Sequence, residues 1–203
     1  MKRLLLFSLV VSCIILSTTA FAAEKASLGA GNVALKLDYI NFTESEFKDA
    51  DIDTGYYIGL EAYGEVSPNL YLGAEVGYAN PDDKIDELVD GIVVNIKNEV
   101  TFIPIELNLK YAFKAAPNFI IDVGAGVSYT FAEVETTASA LGISLSDSED
   151  DWLFGGQFFV DLNYTINQFF IGINAKYQLT EDFSDGDVSF SNWRVGGQVG
   201  LMF

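Results

Sequence analysis

Apolar and polar residues alternate along most of the chain from residue 33 onward. In the stretch "FIPIELNLKYAF" (102–113), every second position is large and apolar, and Pro, Glu, Asn and Lys fall between them. A period of two predicts a β-strand with one apolar and one polar face. Eight segments share this pattern, and they lie at 33–43, 54–66, 70–80, 99–113, 118–132, 152–164, 169–179 and 192–203. The chain is therefore predicted to be all-β.

Short and long connections alternate between these segments. The short ones, "SPN" (67–69), "KAAPN" (114–118) and "TINQ" (165–168), contain residues that favour tight turns. The long ones are residues 44–53, 80–98, 133–151 and 180–191. An up-and-down meander places all short turns at one end and all long loops at the other. We therefore predict an antiparallel, up-and-down, eight-stranded β-barrel.

The two faces of each segment indicate which side meets the barrel interior. One face carries bulky apolar side chains with aromatics near the segment ends, and the other carries small or polar residues. The interior of an eight-stranded barrel is narrow, so it accommodates the small and polar face. Aromatic girdles near strand ends are typical of membrane barrels. This pattern favours a transmembrane β-barrel; the alternative is a soluble, lipocalin-like barrel with the apolar face inward.

The N-terminus predicts export. Lys2 and Arg3 precede an apolar run, and small residues then end at Ala22, which together read as a secretory signal peptide cut after that residue. The run is shorter than the ~20 residues that a membrane-spanning helix needs. "VVSC" within it resembles a lipoprotein cleavage box, but apolar residues follow where a lipoprotein turns polar. We expect a signal peptide over 1–22 and a barrel domain over 23–203.

These features resemble a known family. The signal peptide, the eight strands, the short turns against long loops and the "PIELNLKY" strand are similar to the small eight-stranded outer-membrane barrels of the OmpA transmembrane domain and OmpX/Ail type. Phe203, with Leu201 and Val199 on the same face, resembles the membrane-insertion signal of that family. The resemblance implies a monomer in a bacterial outer membrane. It also implies lipid, lipopolysaccharide and the barrel-assembly machinery as partners, and no cofactor.

Acidic residues dominate the long-loop end. The whole chain has 29 acidic and 11 basic residues and a net charge of −18, which excludes the basic surface that nucleic acid requires. Twenty of the acidic residues lie in the four long loops. We expect these loops to attract Mg²⁺ or Ca²⁺, which would bridge them to lipopolysaccharide phosphates. The candidate cation contacts are Asp147, Glu149, Asp150, Asp151, Asp182, Asp185 and Asp187. None fits a calcium-loop spacing, so no specific metal site is predicted, and the alternative is a solvated surface.

Charged residues also fall on the inward face. They are Lys36, Asp38, Glu61, Glu65, Glu75, Glu106, Lys110, Asp122, Asp161, Lys176 and Arg194. Counting from the turns places Glu61 opposite Glu75 and Lys110 opposite Asp122. We expect a cluster of Glu61, Glu75 and Glu106 that is neutralised by Arg194 and Lys176. Such a network either closes the barrel as a salt-bridge core, or forms a gated ion path or a proton shared between carboxylates.

The remaining signals concern function. Residues 80–98 contain Asp90-Gly91, a hairpin turn signal, so this loop is predicted to be a hairpin that binds a partner. The chain has no histidine, so we predict no catalytic residues and no enzyme activity. We expect a structural or adhesion-like surface role, and the alternative is a narrow channel for ions or small solutes. Pro104 cannot donate to a strand ladder, which predicts a bulge or a missing hydrogen bond at 103–105.

Overall fold

The strands form a single closed sheet. The computed structural model describes residues 28–89, 92–141, 143–183, 186 and 188–203; the predicted signal peptide lies outside these ranges. Within them are nine strands and one short helix: β1 (Gly31–Phe42), α1 (Ser45–Asp49), β2 (Thr54–Ser67), β3 (Leu70–Ala79), β4 (Asp82–Val89), β5 (Ile92–Ala116), β6 (Phe119–Ala140), β7 (Ile143–Ile166), β8 (Phe169–Thr180) and β9 (Asn192–Met202).

The closed sheet has eight strands around its circumference, as predicted. Strands that follow one another along the chain pair antiparallel, except that β3 pairs with β5 rather than with β4, and β1 pairs with β9. The ninth strand arises because β3 and β4 run one after the other along β5. Asn80 and Pro81 separate them, and the Asn80 side chain donates to the Val100 carbonyl over 2.9 Å. The prediction of an all-β, up-and-down antiparallel barrel is confirmed.

Alternation along each strand separates an apolar exterior from a polar interior. In β1, Leu35 and Leu37 are 49% and 62% exposed, whereas Lys36 and Asp38 between them are 1% and 3% exposed. The same arrangement continues around the ring, so the outer surface is a band of exposed Leu, Ile, Val and aromatic side chains. Such a band is stable against lipid rather than water. Among the residues described, there is no helix with the length and apolar character to cross a bilayer.

The tight turns lie at one end, which we call the turn end. Each consists of two residues, 68–69, 117–118 and 167–168, between consecutive strands. Asn69 and Asn167 adopt positive φ angles of 66° and 55°, a conformation that asparagine tolerates better than most residues. β-Bulges lie beside two of the turns, between Glu65 and Ser67 and between Lys114 and Ala116.

The opposite end, the loop end, contains more strand than predicted. The predicted loop 133–151 is a β-hairpin, since β6 runs to Ala140 and β7 begins at Ile143. The hairpin predicted within 80–98 is confirmed by β4 and the start of β5; its turn residues lie outside the described ranges. β4, β5, β6 and β7 therefore extend beyond the barrel as one sheet, which we call the protruding sheet. It exists because in-register pairing continues without interruption up both hairpins.

Pro104 interrupts the hydrogen-bond ladder on one of the two sides of β5. Toward β3, pairing stops after Val76 with Ile105 and resumes at Ala79 with Phe102. Toward β6, Pro104 stays in register opposite Thr130. The predicted break in pairing is present because proline lacks the donor, but the register does not shift, so the alternative of a bulge at this position is wrong.

Candidate functional site

Three glutamates lie side by side inside the barrel. Glu75 on β3 pairs with Glu61 on β2 and with Glu106 on β5, so the expected opposition of Glu61 and Glu75 is present. All three are at most 2% exposed. Directly opposed like charges repel, and buried carboxylates need charged partners to be stable. The row therefore requires several cations from the other side of the barrel.

Cations from three other strands meet this row, two of them from across the barrel. Lys176 on β8 bridges Glu75 and Glu106 at 2.6 and 2.5 Å. Arg194 on β9 lies 2.6 Å from Glu106 and 3.8 Å from Glu75. These are the two cations that the sequence analysis assigned to the cluster. Glu61 is instead held at 2.7 Å by Lys36 on β1, which also lies 3.1 Å from Glu75. We call these six side chains the glutamate belt.

Aromatic side chains line the belt, and the sequence analysis did not identify them. Tyr57 is fully buried and donates to Glu75 Oε1 over 2.7 Å, while the Arg194 guanidinium lies 4.3 Å from its ring centre. The amines of Lys36 and Lys176 lie 5.7 and 5.3 Å from the ring centre of Phe159. An aromatic ring face stabilises a cation on the side where the cation has no hydrogen-bond partner.

Glycines that lie opposite inward aromatic residues provide the space that the rings occupy. Tyr63 faces Gly73 across β2 and β3, and Phe159 faces Gly124 across β6 and β7. A Cβ atom on either glycine would overlap the facing ring. An inward aromatic opposite an inward glycine was thus the sequence signal that could have revealed them.

Two aspartates lie nearer the turn end, and the prediction for one of them needs correction. Lys110 is in register with Gly124 rather than Asp122, because β5 continues to Ala116 and its turn has two residues instead of the five of "KAAPN", with a one-residue bulge between Lys114 and Ala116. The long lysine side chain still reaches back, and its Nζ lies 3.6 Å from Asp122 and 3.7 Å from Glu61. Asp122 also accepts a hydrogen bond from Asn163 over 3.0 Å.

Asp161 is the partner of Asp122 across β6 and β7. It is fully buried, and neither of its carboxylate oxygens has a hydrogen-bond partner. Amide side chains link other interior groups: Asn174 donates to Asp38 over 2.9 Å, and Gln178 accepts from Arg194 over 2.9 Å. The charged groups of the glutamate belt therefore nearly all have partners, whereas the two aspartates, which we call the aspartate pair, have carboxylate oxygens without hydrogen-bond partners.

Apolar clusters lie on both sides of these charges. Toward the loop end, Phe47 of α1 and Phe190 pack inside the barrel mouth against Phe42, with ring centres 4.8 to 5.7 Å apart. The members of this upper apolar cluster are Ile40, Phe42, Phe47, Ile52, Tyr57, Ala79, Val100, Phe102, Ala132, Leu153, Phe183 and Phe190. The members of the lower apolar cluster are Leu28, Tyr63, Tyr71, Ala112, Ile120 and Phe159.

The predicted cation contacts of the loops are spread out. Asp147, Glu149 and Asp150 lie along the exposed part of β7, and Asp151 is partly buried and accepts from the Trp152 amide over 2.7 Å. Asp182 is exposed beyond β8, whereas Asp185 and Asp187 fall outside the described residues. Across the part of the chain that the structure describes, no group of three acidic, Cys or His side chains converges to hold a metal.

One surface ion pair lies on the protruding sheet. Lys97 Nζ hydrogen-bonds Glu99 on the same strand. This bond raises the pKa of Lys97 and lowers the pKa of Glu99. Because both groups are exposed, the pair contributes little to stability.

The chain terminus joins the barrel by its backbone. Phe203 and Gly31 exchange two backbone hydrogen bonds of 2.9 and 3.0 Å. The side chains of Val199, Leu201 and Phe203 are exposed on the outer face. Gly29 adopts a φ of 77° where the backbone of Phe203 passes close to it, a conformation that glycine adopts at low cost.

Comparison with known proteins gives a family and a fold. Residues 8–203 match the family model described as the outer membrane protein β-barrel domain. Neisserial surface protein A is 10% identical and superposes with a TM-score of 0.55 over 86% of this chain and 98% of its own. Ail, the attachment invasion locus protein of Yersinia pestis, is 14% identical with a TM-score of 0.47 over 85% of this chain and 99% of its own. A search of curated protein sequences finds no match.

Proposed function

The chain belongs to the outer membrane protein β-barrel family, and from this premise we propose that it is a closed barrel with a structural or surface-interaction role. It is an outer-membrane β-barrel protein, so its apolar exterior contacts lipid and its turn end and loop end lie on opposite sides of the membrane. The proposal concerns what the interior and the loop end do.

The apolar clusters on both sides of the glutamate belt support the proposal that the barrel is closed. Ions would have to pass the upper apolar cluster, the glutamate belt and the lower apolar cluster in turn. Arg194 is fully buried between Tyr57 and Glu106, so moving it aside would separate a buried ion pair, at a cost of about 3–5 kcal/mol. A permanently open path through these layers is unfavourable.

The protruding sheet supports the surface role. Ile85, Ile96, Ala138 and Leu145 are in register across its four strands, which gives one face an apolar row. Ile85 and Leu145 are 39% and 74% exposed. The backbone edge of β7 above Phe154 lies beyond its pairing with β8 and beyond the hydrogen bonds that Phe154 makes with Glu181. An apolar row beside an unpaired, acidic strand edge is suited to binding an extended partner segment.

Planar-bilayer conductance tests the closed barrel. The purified protein should insert without producing steady channels. Steady single channels whose conductance rises with salt concentration would establish instead the alternative function, a narrow channel for ions or small solutes. The observation that favours this alternative is the aspartate pair, where buried polar atoms lack hydrogen-bond partners.

Cell retention tests the surface role. Cells that display the protein should be retained on an epithelial monolayer, and replacing Leu145 by Asp should reduce retention because it breaks the apolar row. Replacing the equally exposed Leu141 (80% exposed) by Asp is the matched control, since Leu141 lies in the hairpin turn outside that row. Equal retention by both variants would contradict the assignment of this face.

The remaining partners follow from the same proposal. Lipopolysaccharide would contact the outer surface beside the loop end, with divalent cations between its phosphates and the acidic loops. The barrel-assembly machinery would read Val199, Leu201 and Phe203 before the ring closes. We propose a monomer without cofactor or enzyme activity, which is in keeping with the absence of histidine from the sequence.

A further inference from the structure

Acidic side chains outnumber basic ones inside the barrel. Of the charged residues that the structure describes as buried, six are acidic and four are basic. All four cations have a carboxylate within 4.0 Å. The acidic excess must therefore be accommodated in a way that ion pairing alone does not provide, because an unpaired buried carboxylate costs several kcal/mol.

Part of this excess is Asp38, which accepts a hydrogen bond from Asn174, and the rest lies at the aspartate pair. Glu61, Glu75 and Glu106 each have a cation within 2.7 Å, so the glutamate belt needs no further positive charge. Among the buried carboxylates described, Asp161 is the one with neither a hydrogen bond nor an ion pair on either oxygen. Asp122 likewise has one oxygen, Oδ1, without a hydrogen-bond partner.

The position of the two aspartates allows them to satisfy each other. They are directly opposed on β6 and β7, and opposed side chains have Cβ atoms about 4.5–5.5 Å apart. As two carboxylates they would repel. With one proton between them, the O–H of one donates to the free oxygen of the other, which removes both the repulsion and two of the three unpartnered oxygens.

The geometry points to a proton-binding site: we propose that Asp122 and Asp161 together hold one proton in the folded barrel, so that the pair carries a single negative charge facing Lys110. The other groups that act electrostatically on the pair are Lys36 on β1, Glu61 and Tyr63 on β2, and Lys176 on β8. Of these cations, Lys36 and Lys176 are already engaged by the glutamate belt. This site goes beyond the proposed structural or surface role and does not depend on it.

The site makes the stability of the barrel depend on pH in one direction. At neutral pH the folded protein would hold a proton that an unfolded, solvated aspartate releases. Stability therefore falls as the pH rises, because the unfolded state binds fewer protons than the folded state. The decline begins once the pH exceeds the pKa of an unfolded aspartate, about 4, and ends when the pH has passed the pKa of the folded pair, so it continues through neutral pH.

Two matched substitutions test the site by urea unfolding in lipid vesicles, followed by tryptophan fluorescence. Asp161→Asn replaces a protonated carboxyl by a neutral group of similar shape, so the urea midpoint at pH 7 should be unchanged or higher and this decline of stability with pH should disappear. Glu61→Gln leaves Lys36 without its closest partner, so the folding equilibrium constant should drop by about a hundredfold. If Asp161→Asn lowers stability as much as Glu61→Gln, Asp161 is an ionised partner of a lysine and the proposal is wrong.

Infrared spectroscopy of the wild-type protein keeps the test independent of how the variants fold. A carbonyl band of a protonated carboxylic acid should be present at pH 7 and lost at alkaline pH, and it should be absent from Asp161→Asn. Its absence from the wild type would overturn the proposal. Replacing Na⁺ by N-methylglucamine at constant ionic strength should not alter the midpoint; a loss of stability in the wild type alone would mean that a metal cation occupies the site.

Discussion

Replacing Arg194 by Met removes the cation with the most interior contacts in the glutamate belt. Its guanidinium lies 2.6 Å from Glu106, 3.8 Å from Glu75 and 2.9 Å from Gln178, and it stacks on Tyr57. Met has a similar length and fills the same volume, so the change isolates the charge. It leaves Glu106 with Lys176 as its one remaining cation in the glutamate belt, while Glu75 keeps Lys176 and Lys36. Breaking a buried pair from one side typically costs about 3–5 kcal/mol.

Urea unfolding in lipid vesicles measures this loss. Val195→Ala is the matched control, because Val195 is the next residue on β9 and its side chain is 49% exposed on the lipid face. The loss in the free energy of unfolding for Arg194→Met combined with Glu106→Gln should be smaller than the sum of the losses for the two single changes, because the double variant lacks both partners of the ion pair. A loss below about 1 kcal/mol for Arg194→Met would place this pair in the range of exposed salt bridges and refute the reasoning.

Three further outcomes are expected. Gly73→Ala should lower stability by about 1–3 kcal/mol because its methyl group would overlap an interior tyrosine ring, whereas Gly64→Ala, with open space around its Cβ, should be neutral by the same urea assay. Lys97→Ala should raise the pKa of Glu99 in an NMR titration, because the hydrogen bond that lowers this pKa is lost. Any contribution of the pair to stability is present at neutral pH and disappears as the pH falls through the pKa of Glu99. An unchanged pKa of Glu99 would contradict the contact. Phe190→Ala should cost about 3–5 kcal/mol as a buried aromatic yet leave the barrel without channels in a planar bilayer, because the glutamate belt remains; steady channels would show that the aromatic cluster is the barrier.

The strands and their faces could be predicted because lipid imposes a strict rule on every second residue. Leu35, Leu37 and the other outward positions of β1 must be apolar, so the alternation is unusually clear. The pairing of Glu61 with Glu75 was predictable for a related reason: a short turn sets the register of the two strands that it joins. The bulge beside that turn lies between Glu65 and Ser67, and from Glu65 onward the observed pairing is the one counted from the turn.

The second short turn shows where this reasoning ends. There β5 continues through "KAA" to Ala116, which leaves a two-residue turn, and a one-residue bulge follows between Lys114 and Ala116. Neither the extra strand residues nor the bulge has a distinct signature in the sequence, and together they displace Lys110 from Asp122 by two residues. The role of Lys36 on Glu61 was missed for a different reason. Lys36 is in register with Gly59 on the adjacent strand and is therefore the diagonal neighbour of Glu61. Residues 43–53 rather than a two-residue turn join β1 to β2, so counting from a turn does not give this register.

The interior charges also explain how one register is selected from many. Lys176 bonds a residue 101 positions away and Arg194 a residue 88 positions away, so these contacts form only when the ring is complete. A shift of any strand by one residue would turn its inward charges toward lipid, where each Arg or Lys costs about 2–4 kcal/mol near the bilayer midplane. The apolar face alone discriminates less sharply, because the interior already accepts Tyr57, Tyr63 and Phe159. The charged residues therefore penalise misregistered barrels more strongly than they stabilise the correct one, which accounts for a buried network that hydrophobic packing could replace at little cost in stability.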